Sequence, residues 1–448
     1  MNTLPSSFVI KGAQVILCDS ESICDVQVRD GRIYKIGVVT DASVPVLDAK
    51  GLTLFPGVID PQVHFREPGF EYKETIFSGS RACAAGGVTS FFEMPNTKPA
   101  TTTEALMQWK KNKAAESSLV NYNFFIGATR DNLDVLNSVR NVAGIKIFMG
   151  SSTGDLLVDD PNDLENIFAH TQRLIAVHAE DELILKAQKS KIVQGRDFSQ
   201  HPHIRPAEAA WKATRQACAL AQKYNHPLHI LHLTTAEEVQ LLSELASPLI
   251  TAETTPQHLF FEAPDVYERL GSRAQMNPPI REKNHREALR RAVKSGIIQM
   301  IATDHAPHTL EEKSKNYPDA PSGMPGVETS LPVMLTLQKS LGLSLGEIAE
   351  LMSTNAARRY RVVDRGEIRE GAYADLVLVD LKAPKTIEKT SIRSKVGWNP
   401  FEGIELVGWP VMTFVNGSCV FREGEIIESR GAMEVIFLDT AQSSDAAV

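Results

Sequence analysis

The chain lacks the features that mark secreted, membrane-spanning or nucleic-acid-binding proteins. Its five cysteines are scattered through 448 residues without a Cys-x-x-Cys pair, which argues against a disulfide framework and a thiolate metal site and favours a reducing compartment. No apolar run is long enough for a signal peptide or a membrane span. The net charge of −8 provides no basic surface for nucleic acid. We therefore expect a cytoplasmic globular protein without nucleic-acid or membrane partners.

Both ends of the chain contain short β-branched runs that alternate apolar and polar residues. One end has "FVIKGAQVIL" and "DVQVRDGRIYKIG", and the other has "ADLVLVDL" and "MTFVNGSCVFREGEII". The Asp-Gly and Asn-Gly pairs in these runs are typical of hairpin turns. The pattern predicts a small β-sandwich domain that residues 1–55 and 361–430 build together. A tail at 431–448 follows, and we expect its polar end, "DTAQSSDAAV", to fray.

The region between the two ends alternates short apolar runs with helical stretches such as "AEAAWKATRQACALAQKY", which is typical of repeated βα units. Eight runs can be counted: "TLFPGVIDPQVHF", "VTSFFEMPN", "NYNFFIGAT", "VAGIKIFMG", "RLIAVHAE", "PLHILHLTT", "PLITAETTP" and "IQMIATDHAPH". This count predicts a closed (β/α)8 barrel of the TIM type over residues 56–360. In such barrels the active site lies at the carboxyl ends of the strands.

Polar side chains collect at the carboxyl ends of these runs, a bias that packing alone does not require. They are His64, Arg66, Asn96, Thr129, Arg130, Lys146, His178, His232, Thr254 and Asp304. The distribution therefore favours an enzyme over a purely structural barrel.

Four of these residues are candidate metal ligands: His64, His178, His232 and Asp304. Imidazole and carboxylate are usual ligands of catalytic divalent metals, which activate a water and polarise a carbonyl so that an amide can be hydrolysed. A single strand-end histidine is also typical of a structural role, and a single aspartate before a helix is typical of an N-cap. Four such residues at matching strand ends favour a metal site of one or two ions.

Lys146 in "GIKIFMG" has two interpretations. It could form a buried ion pair. Alternatively, an amine that loses its proton through desolvation could react with carbon dioxide and become a carbamate that bridges two metals. Asp155 is a rival candidate for the bridging carboxylate.

Arg66 lies two residues beyond His64, on the same side of an extended strand. Its guanidinium suits a two-point contact with a substrate carboxylate. The alternative is a salt bridge to Glu67 or Glu74. The spacing alone leaves both interpretations open.

Further candidate substrate contacts are Asn96, Asn277 and His308. Either asparagine could hydrogen-bond a carboxylate or a ring amide, and either could be a turn residue. His308 follows Asp304 by four residues, close enough to contact a substrate held at the metal. The segment 309–322, "TLEEKSKNYPDAPS", is predicted to be a mobile loop that covers the substrate.

The motifs, taken together, resemble the dihydroorotases of the amidohydrolase superfamily over essentially the whole chain. They are, in order, "VHFREPG", "MPNT", "GIKIFMG", "HAED", "LHLTTAE", "MNPPIRE", "TDHAPH", "GMPGVETSLPVML", "NPFEG" and "GWPVMTFVNG". Single words such as "TDHAPH" also occur in hydantoinases and allantoinases. The combination with Arg66, Asn96 and Asn277 is more specific.

The resemblance implies a zinc-dependent, reversible cyclisation of N-carbamoyl-aspartate to dihydroorotate in pyrimidine synthesis. It implies that His64 and Asp304 hold a more buried zinc ion, that His178 and His232 hold a more exposed one, and that carboxylated Lys146 bridges the two. Asp304 would act as general base and then as general acid.

The resemblance also implies the substrate contacts. Arg66, Asn96 and His308 would bind the substrate carboxylate, while Asn277 and the backbone around Gly323 would contact the pyrimidine ring. A homodimer and an association with aspartate transcarbamoylase are further expectations that come from the family.

The chain departs from the family pattern at Gln62, where the first histidine of a His-x-His pair is expected. A glutamine oxygen is a neutral and weaker zinc ligand, so we expect the buried metal to be held less tightly. The family also commonly has two histidines where this chain has Gln257 and His258. Two alternatives follow: another cyclic amidohydrolase (hydantoinase, dihydropyrimidinase or allantoinase), or an inactive scaffold subunit.

Overall fold

The structure is a computed structural model that describes residues 5–40, 43–151, 156–429 and 431–438. The strands in these ranges are β1 (Ser7–Ile16), β2 (Glu21–Arg29), β3 (Arg32–Gly37), β4 (Val46–Asp48), β5 (Thr53–Pro56), β6 (Val58–Val63), β7 (Val88–Glu93), β8 (Asn121–Phe124), β9 (Ile126–Gly127), β10 (Ile145–Phe148), β11 (Ile175–His178), β12 (Leu228–Ile230), β13 (Ile250–Thr254), β14 (Met300–Ile301), β15 (Leu376–Asp380), β16 (Lys385–Thr386), β17 (Glu405–Leu406), β18 (Trp409–Val415), β19 (Ser418–Arg422) and β20 (Glu425–Ile426).

The α-helices in the same ranges are α1 (Ile76–Gly86), α2 (Glu104–Ser117), α3 (Leu133–Ser138), α4 (Pro161–His170), α5 (Glu182–Gln188), α6 (His201–Ile204), α7 (Ala207–Lys223), α8 (Ala236–Leu245), α9 (Pro256–Phe260), α10 (Asp265–Leu270), α11 (Lys283–Lys294), α12 (Leu310–Lys313), α13 (Ser330–Leu341), α14 (Leu345–Ala349) and α15 (Asn355–Tyr360). Of the helices described here, none has the length and apolar character needed to cross a membrane.

Eight parallel barrel positions account for all eight predicted apolar runs. Strands β6, β7 and β8 pair in parallel, and β9 to β14 form a second parallel row. Strands β8 and β9 occupy one barrel position, interrupted at Phe125, whose N–H donates to the Glu93 carbonyl at 3.0 Å. A parallel bridge between Val63 and His305 joins the two rows. The predicted (β/α)8 barrel is confirmed.

Helices pack on the outside of the barrel through small or apolar faces. In α7, for example, the buried residues are Ala209, Ala210, Ala213, Thr214, Ala217, Cys218 and Ala221. Alanines of this spacing form one helical face and allow a close approach to the strands. Helix α1 begins at a capping box made by Thr75 and Ser78 and ends at Gly87, whose φ of +79° suits glycine.

Both ends of the chain contribute strands to one nine-stranded sheet, as predicted for the composite β domain. The sheet runs in the order β20, β19, β18, β15, β5, β1, β2, β3, and β4 pairs with β1. Its junction is the antiparallel pair of β5 and β15, in which Leu376 lies opposite Pro56. Gly57 alone separates β5 from barrel strand β6, so the sheet is tied directly to the barrel. The exact domain boundaries stay predictions.

Residues 431–438 lie against the amino-terminal end of the barrel. The Val435 N–H donates to the Tyr122 carbonyl at 2.9 Å, and the Asn123 side chain donates to the Val435 carbonyl at 2.8 Å. The Val435 side chain is fully buried. The expectation of a frayed end concerns residues 439–448, which lie outside the described residues.

Candidate metal centre and substrate site

The predicted site residues meet in one cavity at the carboxyl ends of the barrel strands. The cavity combines histidine, lysine, arginine, carboxylate and amide side chains, as expected of a polar catalytic site. The residues that line it are Gln62, His64, Arg66, Asn96, Lys146, Phe148, His178, His232, Asn277, Asp304, Ala306, Ser322 and Gly323. His308 lies directly behind Arg66, with its Nε2 3.1 Å from Arg66 Nη2. The candidate ligands predicted at the ends of different strands therefore lie together in one cavity.

His64 and Asp304 form the first pair of candidate ligands. His64 Nδ1 lies 2.6 Å from Asn96 Oδ1, which can only accept a hydrogen bond, so Nδ1 carries the proton. His64 Nε2 then faces Asp304 Oδ1 at 3.0 Å. Burial lowers the pKa of His64, which favours the neutral imidazole that a metal requires. Asn96, predicted to contact substrate, thus also orients a candidate ligand.

His178 and His232 form the second pair. His178 Nδ1 lies 3.0 Å from His232 Nε2, and His178 Nε2 donates to Glu180 Oε2 at 3.0 Å. Arg205 Nε donates to both Glu180 oxygens at 3.1 Å. Because Glu180 fixes the proton on Nε2, His178 presents Nδ1 toward His232. Burial lowers the pKa of both histidines, that of His232 most strongly.

Lys146 is buried in the wall of the same cavity, with 1% of its surface exposed. Desolvation lowers the pKa of its amine to about 7, and the nearby Asp304 and Glu253 only partly oppose this effect. Its Nζ lies 4.4 Å from the centre of the Phe148 ring. An amine with a pKa near neutrality is partly unprotonated at neutral pH, which suits it to carbamate formation. Asp155, the rival, lies outside the described residues.

Gln62 lies beside the first pair, as predicted from the sequence. Its Nε2 donates to Asp304 Oδ1 at 3.4 Å, and its Oε1 is buried with no hydrogen-bond partner within the described ranges. His232 Nδ1 is likewise buried without a partner in the part of the chain described. Such buried, unpaired atoms carry a free-energy cost unless another group contacts them. The donor set therefore fits bound cations.

The donor set is nevertheless incomplete without the lysine. Within the described residues, no three His, Cys, Asp or Glu side chains are arranged to hold one metal ion. The structure instead offers two pairs of ligands with Lys146 in the same cavity wall. A carbamate on Lys146 would supply the third ligand to each pair.

Arg66 does not form the salt bridge considered from the sequence. Glu67 accepts from the Ile76 N–H at 2.9 Å, and Glu74 accepts from Lys395 N at 3.2 Å. Arg66 Nε donates to the Pro307 carbonyl at 3.2 Å. Only 2% of Arg66 is exposed, and burial lowers its pKa to about 10, so it stays cationic near neutral pH. Its guanidinium faces the cavity without an ion pair to either glutamate.

Asn277 and Gly323 also line the cavity. Asn277 Oδ1 lies 3.1 Å from His201 Nε2, whose pKa burial lowers to about 3, so a neutral His201 can donate to the asparagine. The Gly323 N–H donates to the Gln275 carbonyl at 2.9 Å. That N–H is thus used within the protein, and a substrate contact in this region would involve other backbone atoms.

The segment 309–322 makes several buried contacts with the rest of the chain. It contains helix α12, and Lys313, Tyr317 and Ala320 are buried. Lys313 Nζ donates to the carbonyls of Ser272, Gln275 and Pro321 at 2.8 to 3.1 Å. These contacts anchor the segment in the structure, and its predicted mobility and covering of the substrate stay predictions.

Three site residues have left-handed backbone conformations. The φ angles are +66° at Arg66, +37° at His232 and +46° at Asp304. Such conformations are costly for residues other than glycine and cluster at functional sites, where surrounding contacts enforce them. Here they redirect the side chains just beyond strand ends β6, β12 and β14.

Sequence reasoning missed Lys73, Glu180, His201 and Arg205. Glu180 follows His178 by two residues, and this spacing could have identified it. The other three lie in loops or a short helix, and their contacts join residues far apart in the sequence.

The fold and the site define a barrel hydrolase, and the chain belongs to the amidohydrolase family, whose model matches residues 53–420. Its curated relatives carry the name dihydroorotase. The protein from Methanosarcina mazei is 34% identical, covering 95% of this chain and 98% of the relative. That from Halobacterium salinarum is 36% identical, covering 92% and 96%, and that from Bacillus subtilis is 32% identical, covering 94% and 100%.

Solved structures with the same fold include enzymes that bear another name. The L-hydantoinase (dihydropyrimidinase) from Arthrobacter aurescens superimposes with a TM-score of 0.91 at 28% identity, covering 96% of this chain and 100% of that one. A dihydropyrimidinase from Brevibacillus agri gives a TM-score of 0.89 at 26% identity, covering 97% and 100%. The comparisons thus agree on a cyclic-amide hydrolase.

Proposed function

We propose that this chain is a dihydroorotase, which interconverts N-carbamoyl-aspartate and dihydroorotate in pyrimidine synthesis. The observation that carries the proposal is the Arg66 guanidinium, buried in the wall of the cavity that holds the candidate metal ligands. A buried cation of this kind is suited to a substrate carboxylate. Dihydroorotate has a carboxylate, whereas hydantoin and dihydrouracil do not.

The cofactor we propose is a pair of zinc ions. His64 and Asp304 would hold the more buried ion, His178 and His232 the more exposed one, and Lys146, carboxylated on its amine, would contribute to both. Gln62 would offer its amide oxygen to the buried ion or leave that position to water. When bound, the metals polarise the ring amide carbonyl and lower the pKa of water.

The side chains of the chain itself position the substrate and move the proton. Arg66, with His308 behind it, binds the carboxylate, which orients the ring amide toward Asp304, and Asn96 and Asn277 line the walls. In the hydrolytic direction Asp304 accepts a proton from the attacking water and passes it to the ring nitrogen as the C–N bond breaks. In the cyclisation direction the same carboxylate removes the proton from that nitrogen.

Substrate selectivity tests the proposal directly. The purified chain, loaded with zinc, is assayed on dihydroorotate, hydantoin and dihydrouracil. Turnover of dihydroorotate in preference to the other two is expected. Turnover of hydantoin or dihydrouracil alone would favour the second candidate, a hydantoinase, which the solved structures suggest. Loss of all activity in a chain that binds zinc would favour an inactive scaffold.

The substitution Arg66→Met sharpens this test. Removal of a charged contact to the carboxylate is expected to lower kcat/KM for dihydroorotate by about 100-fold. Arg130→Met is the matched control, because Arg130 also follows a barrel strand but its side chain is 75% exposed. The control is expected to keep its kcat/KM. Equal effects of the two substitutions would contradict the assignment of Arg66.

We further propose that the protein acts in the cytoplasm, on the basis of its five unpaired cysteines. A homodimer and an association with aspartate transcarbamoylase stay predictions from the family resemblance.

A further inference from the structure

A group of polar side chains lies behind Arg66, outside the cavity lining. His308 is at its centre and is fully buried. Its Nδ1 lies 3.0 Å from Lys73 Nζ, and its Nε2 lies 3.0 Å from the Ser322 carbonyl and 3.1 Å from Arg66 Nη2. Lys73 in turn forms an ion pair with Glu312 at 2.9 Å. The imidazole therefore has a close partner at each of its nitrogens.

The partner at Nδ1 decides where the His308 proton lies. Lys73 is an ammonium with a carboxylate partner, so it can only donate hydrogen bonds. His308 Nδ1 must then accept, which places the ring proton on Nε2. Burial also lowers the pKa of His308 far below its usual value, so the ring stays neutral with a single N–H.

The proton on Nε2 changes the relation between His308 and Arg66. The imidazole Nε2–H donates to the Ser322 carbonyl, and guanidinium nitrogens donate only. The two nitrogens that lie 3.1 Å apart are therefore both donors and cannot bond to each other. Because the His308 Nε2–H is used by the Ser322 carbonyl, Arg66 Nη2 keeps its own N–H free of His308, and a guanidinium N–H of this kind favours an anionic oxygen as acceptor.

Among the described residues, Lys73 is the cation that contacts His308 Nδ1. Lys313 lies in the same segment, but its amine donates to three backbone carbonyls. Glu312 Oε2 lies 3.6 Å from His308 Nδ1, beyond hydrogen-bond distance. Lys73 is thus the group in contact with Nδ1.

We propose that Lys73 is a positioning residue that, together with the Ser322 carbonyl, holds His308 in the Nε2–H form, so that Arg66 Nη2 stays free to donate to the substrate carboxylate. The carboxylate comes from the proposed function, whereas the position of the proton does not depend on it. Without Lys73, the His308 proton would move to Nδ1 and point toward Glu312. Nε2 would then accept from Arg66 Nη2 instead of donating to the Ser322 carbonyl, and that Arg66 N–H would be lost to the substrate.

Nitrogen NMR of the zinc-loaded protein with 15N-labelled histidine tests the position of the proton. The His308 signal is assigned from its absence in His308→Asn. We expect the Nε2–H form in the unmodified protein and in Lys73→Arg, which keeps a donor, and the Nδ1–H form in Lys73→Met. This measurement needs no turnover, so it stands even if dihydroorotate is not the substrate.

Kinetics provide the second readout. Lys73→Met is expected to raise KM for dihydroorotate about tenfold or more, through loss of a charged contact, with kcat changed by roughly twofold at most. The control is Lys315→Met, which removes a positive charge from an exposed position in segment 309–322. It is expected to change neither KM nor the NMR signal.

Two results would overturn the proposal. One is an Nδ1–H form of His308 in the unmodified protein. This form can be measured by NMR even if a variant fails to fold. The other is a Lys73→Met protein that keeps the Nε2–H form, whatever its KM. A thermal melt of each variant separates unfolding from a change in KM.

Discussion

Gln62 shows how one residue can change the strength of a site without changing its layout. Its side chain occupies the same cavity wall as His64 and Asp304, and its amide donates to the carboxylate that would bind the buried metal. An imidazole in this place would be a stronger zinc ligand than an amide oxygen. If the proposed pair of zinc ions is bound, one of the two positions would therefore be the weaker one.

Restoring the histidine is expected to strengthen the weak position. In Gln62→His, the affinity for the second zinc ion should rise by roughly tenfold or more, measured as zinc retained per chain during dialysis against a graded chelator series. Gln240→His adds an imidazole on an exposed face of α8 and controls for adventitious binding. Unchanged retention in Gln62→His would place residue 62 outside the metal contacts.

The Glu180 carboxylate acts on the second pair of ligands through His178. It is fully buried, and Arg205 and the His178 N–H hold its pKa far below the usual value. In Glu180→Gln the fixed proton position on His178 is lost and Arg205 is left without its buried partner. We expect zinc affinity to fall by about 10- to 100-fold and the free energy of unfolding to fall by about 3 kcal/mol.

Zinc retention and thermal melting measure these two effects. The control is Glu165→Gln, which removes an exposed carboxylate from an ion pair with Lys223 and is expected to change neither. A Glu180→Gln protein that melts lower but keeps its zinc would assign Glu180 to stability alone.

At the scale of elements, the barrel explains why most of the site could be predicted. Parallel strands of a closed barrel end on one face, so residues as distant as His64 and Asp304 could be grouped without knowledge of any contact. The rule does not extend to residues off the strands. Lys73 lies in the loop before α1 and His201 in the short helix α6, and neither position has a periodic signal in the sequence.

The packing contacts of segment 309–322 could not be predicted from the sequence, because most of its residues are polar. Its charged residues suggest a solvent-exposed loop, yet the Tyr317 ring packs against His201 with 5.8 Å between ring centres. Gly323, which directly follows the segment, has a φ of +136°. A Cβ added there would overlap the Ala306 carbonyl and lie 3.0 Å from His308 Cδ2. The segment therefore fixes the position of His308.

Gly323→Ala is expected to displace His308 and raise KM for dihydroorotate by about tenfold or more, because small displacements of contact groups have large kinetic effects. Gly342→Ala isolates the backbone cost, since Gly342 has a φ of +66° and open space where a Cβ would lie. The control is expected to lower the melting temperature slightly and leave KM unchanged. Similar KM values in both variants would show that Gly323 does not position His308.

At the scale of the whole molecule, the carboxyl-terminal segment ties the sheet to the far end of the barrel. The sequence does not reveal that Val435 enters a buried cluster with Phe92, Phe125 and Tyr360. The apolar run "VIFL" around it is too short for its pattern to show where it packs. Burial of this kind depends on the tertiary path of the chain, which hydrophobic patterning does not determine.

Val435→Asp is expected to lower the free energy of unfolding by about 3 kcal/mol or more, because it buries a charge without a partner. Ile436→Asp makes the same change one residue later, where the side chain is 53% exposed, and should alter stability by about 0.5 kcal/mol or less. Thermal melting compares the two. Equal melting temperatures would show that the segment does not pack on the barrel as described.

The pairing of β5 with β15 has a consequence for synthesis on the ribosome. Pro56 and Leu376 are partners in the sheet, but about 320 residues separate their translation, which takes on the order of half a minute. During that time the amino-terminal strands emerge with an unpaired edge, the kind of surface on which nascent chains aggregate. Assembly of the composite sheet is therefore a late event, and the nascent chain is most dependent on chaperones before Leu376 appears.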